Sequence, residues 1–142
     1  MRDNLRDSGN GSQRLQSMRF MPRILIIEDN DALRQMMCHM LVAAGYDVQE
    51  AANGRAGVDA YRQQPSDLVI TDIVMPDAEG LQTIEALQHA DAAVKIIAIS
   101  GAGSATDYLR TATQFGAHQT LEKPFTHGEL LSAVAEVLAS GS

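Results

Sequence analysis

The sequence has no tryptophan and only three tyrosines and three phenylalanines in 142 residues. A core must therefore be built from Leu, Ile, Val, Ala and Met rather than from packed rings. One cysteine, Cys38, excludes an internal disulfide framework and fits a reducing compartment. It lies inside a helical pattern and reads as an inert, partly buried thiol rather than a nucleophile. No apolar run approaches the roughly 20 residues that a membrane-spanning helix needs. The opening MRDNLRDSGNGSQRLQSMRF has no hydrophobic signal core. A cytoplasmic protein is the expectation. Basic residues are outnumbered, 11 against 18 acidic, for a net charge of -7. That argues against a protein that works by neutralising nucleic-acid phosphates.

What is present suits one domain, because 45% hydrophobic residues in a chain of this length close a single core. Residues 1–21 are polar, contain Gly and Ser, and lack periodicity. They read as a flexible leader or a vector remnant, with Met18 and Met21 as alternative starts. Four arginines against two aspartates give this leader a net +2, leaving -9 on the rest. Scattered as they are, the arginines read as a solvated tail. The folded domain is expected over residues 22–140.

From Arg23 onward, strand and helix patterns alternate. RILIIE (23–28) is a short strand that is apolar on both faces. Leu33, Met36, Met37, Met40 and Leu41 form a helical stripe, capped by Asn30 or Asp31 and ended by Gly45. The three methionines are expected in the core. YDVQEA (46–51) is a second, more exposed strand, followed by an Asn53-Gly54 turn and a helix over 55–64. DLVITD (67–72) is the third strand, and the helix over 81–90 turns Leu81, Ile84 and Leu87 inward. KIIAIS (95–100) is the fourth strand. A weaker helix spans 104–115, with Ser104 and Asp107 as its capping box. QTLE (119–122) is the fifth strand. The last helix opens at Thr126 with Glu129 as capping partner and buries Leu130, Leu131, Val134, Val137 and Leu138. Five strands alternating with five helices through short loops predict a doubly wound parallel sheet of the flavodoxin-like type, order 2-1-3-4-5.

In such sheets, ligands bind beyond the carboxyl ends of the strands. The first strand ends in Glu28-Asp29, the third in Asp72, the fourth in Ser100, and the fifth just before Lys123-Pro124. One acid there could be a helix cap; several converging groups signal a site. Three carboxylates packed together repel strongly at low local dielectric unless countered. A divalent cation and one lysine supply the opposing charge. Oxygen ligands without Cys or clustered His favour Mg2+, with Mn2+ as the alternative, over zinc. Phosphoryl chemistry follows, with Asp72 as the nucleophile that forms an aspartyl phosphate. That product carries about one further negative charge and new acceptor oxygens. Ser100 can donate to one oxygen, and Lys123 can pair with another.

The stretches IIEDN (26–30), ITDIVMPDAEG (70–80), IAISG (97–101) and LEKPF (121–125), in this order and spacing, resemble the receiver domain of two-component response regulators. The resemblance covers about residues 22–140. It implies that Glu28 and Asp29 are metal-binding acids, that Asp72 is the phosphoacceptor, and that Val74 gives a backbone carbonyl to Mg2+. Ser100 matches the switch hydroxyl and Lys123 the lysine, whose bond to Pro124 is expected to be cis. The phosphodonor implied is a sensor histidine kinase or a histidine phosphotransfer protein. The output implied is a protein partner at the face of helix 4, strand 5 and helix 5, with no direct nucleic-acid contact and no membrane. The chain is expected to catalyse its own phosphorylation and dephosphorylation without turning over an external substrate.

Two departures stand out. The family commonly has Tyr or Phe three residues before the lysine, where this chain has Thr120. A smaller Ser/Thr rearrangement through Ser100 and Thr120 must then serve, or the coupling is different; Tyr108 could stand in for the aromatic. The residues two after Asp72 and two after Ser100 are Val74 and Ala102, and neither side chain can hold a hydrolytic water by hydrogen bonding. Slow self-dephosphorylation is expected.

Three rival readings remain at this level. A haloacid-dehalogenase-like phosphatase also uses an Asp nucleophile and Mg2+, but resembles a motif with a second acid where this chain has Val74. A degenerate receiver acting only as a binding module would keep the fold and lose the chemistry. A stand-alone receiver and one cut from a longer regulator give the same sequence. GAGSAT (101–106) superficially resembles a dinucleotide loop, but it follows the fourth strand and no acid-ended strand follows where one is needed. His39, His89, His118 and His127 show no metal spacing and read as surface or satisfied residues.

Overall fold

A computed structural model describes residues 21–73, 79–101 and 105–140. Val74, Ala102 and Ser104 lie outside the described residues, as do the side chains of Asp107 and Tyr108.

The elements alternate as β1 (Arg23–Ile27), α1 (Asp31–Ala43), β2 (Asp47–Ala51), α2 (Gly54–Gln63), β3 (Leu68–Asp72), α3 (Glu79–Ala90), β4 (Ile96–Ser100), α4 (Ala105–Phe115), β5 (Gln119–Glu122) and α5 (His127–Ala139). The strands form one parallel sheet in the order β2-β1-β3-β4-β5. This is the predicted flavodoxin-like arrangement.

The sheet is covered on both sides because its inner strands carry apolar residues on both faces up to their polar ends at Thr71-Asp72 and Ser100. Ile24, Ile26, Leu68, Ile70, Ile97 and Ile99 face a core closed by Met37 and Leu41 of α1 and by Leu130, Val134 and Val137 of α5. Their neighbours Leu25, Ile27, Val69, Ile96 and Ala98 face the other core, closed by Val58 and Tyr61 of α2, Ile84 and Leu87 of α3 and Ala112 of α4. The two-residue side-chain period of a strand produces this division. One Leu or Ile side chain fully withdrawn from water contributes about 2 kcal/mol.

The loops carry their own determinants. Asn30, rather than Asp31, caps α1, its Oδ1 accepting the Leu33 N–H at 2.8 Å. Asn53 does the same for α2 through the Ala56 N–H. Thr126 and Glu129 form the expected capping box of α5, at 3.0 and 2.8 Å. Gly45, at φ 99°, supplies the left-handed residue that ends α1.

Some expectations fail at the edges: Leu131 and Leu138 of α5 are only half-buried, and Tyr46 lies outside β2. Met37 and Met40 are buried, but Met36 is 42% exposed. It sits one helical step around from Met37 and so leaves the sheet-facing stripe for the seam between α1 and the segment leading into α5.

Candidate functional site

Registers bring the polar strand ends together. Ile27 pairs with Thr71, Asp72 with Ile99, and Ser100 with Glu122. The residues just beyond β1 and β5 therefore flank Asp72 at one edge of the sheet. The Lys123 N–H donates to the Ser100 carbonyl at 2.7 Å, and the Ile73 N–H to the Ile99 carbonyl at 2.9 Å, so the backbone around the site is tied strand to strand.

Asp72 is 3% exposed, and Glu28 is fully buried. Lys123 Nζ donates to Asp72 Oδ2 at 2.8 Å and lies 3.2 Å from Glu28 Oε1. The latter contact is an ion pair, and among the described residues no well-aligned hydrogen-bond donor reaches Oε1 of this buried carboxylate. Glu28 Oε2 accepts the Asn30 N–H at 3.0 Å. Arg34 holds the Glu28 carbonyl at 2.7 Å while pairing with Asp31 and Glu50. Asp29 is exposed at the rim. One oxygen from each of Glu28, Asp29 and Asp72 can lie within 4.8 Å of the others.

The electrostatics follow from this crowding. Burial pushes the Glu28 carboxyl up to about 7. The Asn30 N–H opposes the rise, the Asp72 charge adds to it, and Lys123 opposes it. For Lys123, burial alone would lower the ammonium pKa. The hydrogen bond and charge of Asp72, with Glu28 behind them, outweigh burial and raise it, so the lysine stays charged.

Ser100 is fully buried at the neighbouring strand end, and among the described residues its hydroxyl makes only a long 3.4 Å hydrogen bond, to the Gly101 carbonyl. Thr120 is not among the clustered groups. It pairs with Ala98, half-buried on β5, two residues below the site edge. The Lys123–Pro124 peptide bond is cis. Pattern reading overlooked Asn30 as a donor to Glu28 and Arg34 as the clamp on its carbonyl. The only sequence signal for the latter is the spacing of Arg34 three residues after Asp31 in a first helical turn.

The donor set fits a hard divalent cation. It offers three carboxylate oxygens at short mutual distance, one of them buried and undonated, with no soft ligand among them.

The family model described as "Response regulator receiver domain" matches residues 24–135. Chemotaxis protein CheY of Bacillus subtilis is 35% identical over 117 residues, covering 82% of this chain and 97% of that one. The DNA-binding dual master transcriptional regulator RpaA of Synechocystis is 32% identical over 120 residues, covering 83% of this chain but 49% of that one. A solved CheY-like receiver domain protein from Methanospirillum hungatei superposes with a TM-score of 0.77 at 28% identity, covering 83% of this chain and 94% of that one. The fold and the site define a receiver, a signalling switch rather than a classical enzyme. The chain belongs to the response regulator receiver family. The match leaves the phosphatase reading without support. Among the described residues, no helix is long and apolar enough to cross a membrane.

Proposed function

We propose that Asp72 is the phosphoacceptor of a switch loaded by a sensor histidine kinase or a histidine phosphotransfer protein. The observation that carries this is Lys123 Nζ bridging Asp72 and Glu28, at 2.8 and 3.2 Å, beside three convergent carboxylates. A carboxylate oxygen of Asp72 attacks the donor phosphorus. The phosphorus–nitrogen bond to the donor imidazole breaks, and the imidazole leaves with a proton. Glu28, Asp29 and Asp72 would hold Mg2+ or Mn2+, with the Val74 carbonyl; the ion supplies charge neutralisation for the incoming phosphoryl group. Lys123 stays positive and stabilises the added charge. Ser100, whose hydroxyl is poorly engaged, turns toward a phosphoryl oxygen, and Thr120 follows on β5.

The output is a partner protein at the face of α4, β5 and α5, reached without direct nucleic-acid contact. The excess of acidic over basic residues supports the latter. Because neither Val74 nor Ala102 can hold a hydrolytic water, self-dephosphorylation is slow, with a half-life of minutes or longer; a half-life of seconds refutes this.

Intact mass after incubation with Mg2+ and acetyl phosphate tests the reading. The native protein should gain one phosphoryl group, labile to hydroxylamine, and Asp72→Asn none. If neither protein gains mass and Mg2+ does not bind, the chain is a binding module only.

A further inference from the structure

The groove between α1 and α5 is separate from the acidic site and has a different chemistry. Met36, His39 and Met40 stand at i, i+3 and i+4 of α1, the spacing that places side chains on one helical face. His127, the first residue of α5, faces the same space. All four line one groove of about 410 Å3, closed otherwise by alanines and Leu131.

The groove's side-chain donors are thus two thioethers and two imidazoles, with no carboxylate. Mg2+ and Ca2+ require oxygen ligands and are excluded. Thioether sulfur with imidazole selects a soft monovalent ion. We propose that this groove binds Cu+ or Ag+ through Met36, His39, Met40 and His127.

Core packing accounts for Met37, which is fully buried, and for Met40, 8% exposed at the groove floor, but not for Met36, which is 42% exposed beside two exposed histidines. Methionine has three rotatable side-chain bonds, which lets the two thioethers adjust toward a bound ion. Cys38 is the rival soft ligand. It does not line the groove and interacts with Glu50 of β2 instead, where burial and that carboxylate disfavour its thiolate.

The test is an anaerobic titration of the full chain with Cu+, competed against a chromophoric Cu+ chelator, in a Cys38→Ser background and with excess Mg2+. The expected result is one Cu+ per chain. Met36→Leu/Met40→Leu should weaken it by more than about tenfold, the lower end of what even an outer-shell partner contributes at a metal site. His39→Gln/His127→Gln should do the same. Leucine preserves volume, and both histidines are exposed, so these variants fold. Methyl resonances of Met36 and Met40, and not of Met37, should shift on binding. Loss of binding with Cys38→Ser, or binding unchanged by both double substitutions, overturns the proposal. Phosphorylation is not the readout, so a failure here is distinct from a failure of the Asp72 reading.

Discussion

Gly80→Ala should lower stability, although alanine is the better helix former by about 1 kcal/mol. Gly80 is the second residue of α3, and the helix passes directly over the residue that follows Asp72. A Cβ built at Gly80 would stand 2.2 Å from Ile73 Cα and 2.6 Å from its carbonyl carbon and oxygen. These are backbone atoms at the end of β3, fixed by the hydrogen bond from Ile73 N–H to the Ile99 carbonyl, and they cannot rotate aside. Ordinary carbon contacts lie near 3.5–4.0 Å, so α3 must lift by roughly 1 Å or more. Overpacking of this kind costs about 1–3 kcal/mol, and rigid backbone puts the case at the upper end. Subtracting the helix gain leaves a net loss of about 2 kcal/mol. For a domain of this size, that is a fall in Tm of roughly 8 °C.

The internal control is Gly128→Ala in the first turn of α5, where the nearest atom to an added Cβ is Thr126 Oγ1 at 3.8 Å. The same chemical change should there stabilise by up to about 1 kcal/mol. Calorimetric melts of the two variants beside the native protein decide the matter. Opposite signs are expected, and a rise in Tm for Gly80→Ala equal to that for Gly128→Ala refutes the close approach of α3 to β3. Intact mass after acetyl phosphate should also show slower loading of Gly80→Ala, because Ile73 adjoins Asp72, the proposed acceptor.

Mg2+ affinity should climb by up to about tenfold per pH unit below pH 7 and level off above it, because the ion needs Glu28 ionised and its pKa is raised to about 7. With its folded pKa raised above the unfolded value, Glu28 stabilises the metal-free protein fully only at low pH, and this contribution fades as pH rises through about 7. Calorimetric Mg2+ titrations from pH 6 to 8 check this, and a flat profile refutes it. Lys123→Met should destabilise the metal-free protein by about 3 kcal/mol, since two buried carboxylates lose their cation. That is the lower end for a broken buried pair, because the lysine side chain is 27% exposed. Most of that loss should return at saturating Mg2+ in urea unfolding, whereas an equal loss with and without Mg2+ counts against the shared-charge account. Thr126→Ala should cost about 1 kcal/mol through the α5 cap and Thr126→Ser much less, measured in the same way.

Sequence pattern disclosed most of the architecture because the inner strands are apolar on both faces, and a polar residue stands out where such a run stops. Glu28, Asp72 and Ser100 were legible for that reason. Boundaries were less so. Tyr46 reads as strand by propensity, yet its N–H closes the end of α1 on the Leu41 carbonyl at 3.0 Å. Lys95 sends its ammonium to the Leu138 and Ser140 carbonyls at the end of α5, a partner 43 residues or more away that no local window contains. Met36 was misplaced because a stripe of methionines does not say which of two adjacent positions faces the sheet.

The ion pair at the site shows how local pattern becomes chemistry. Lys123 is 51 residues from Asp72 in the chain. What brings them to 2.8 Å is the pairing of Asp72 with Ile99 and of Ser100 with Glu122, two registers of one sheet. A one-residue slip of β4 against β3 would exchange the two core faces of β4, turning Ile97 and Ile99 into the core that now takes Ile96 and Ala98. Core volume on both faces therefore holds the register, and the register sets the distance between Asp72 and Lys123. The hydrophobic positions of the two cores are what place the two charged residues of this pair.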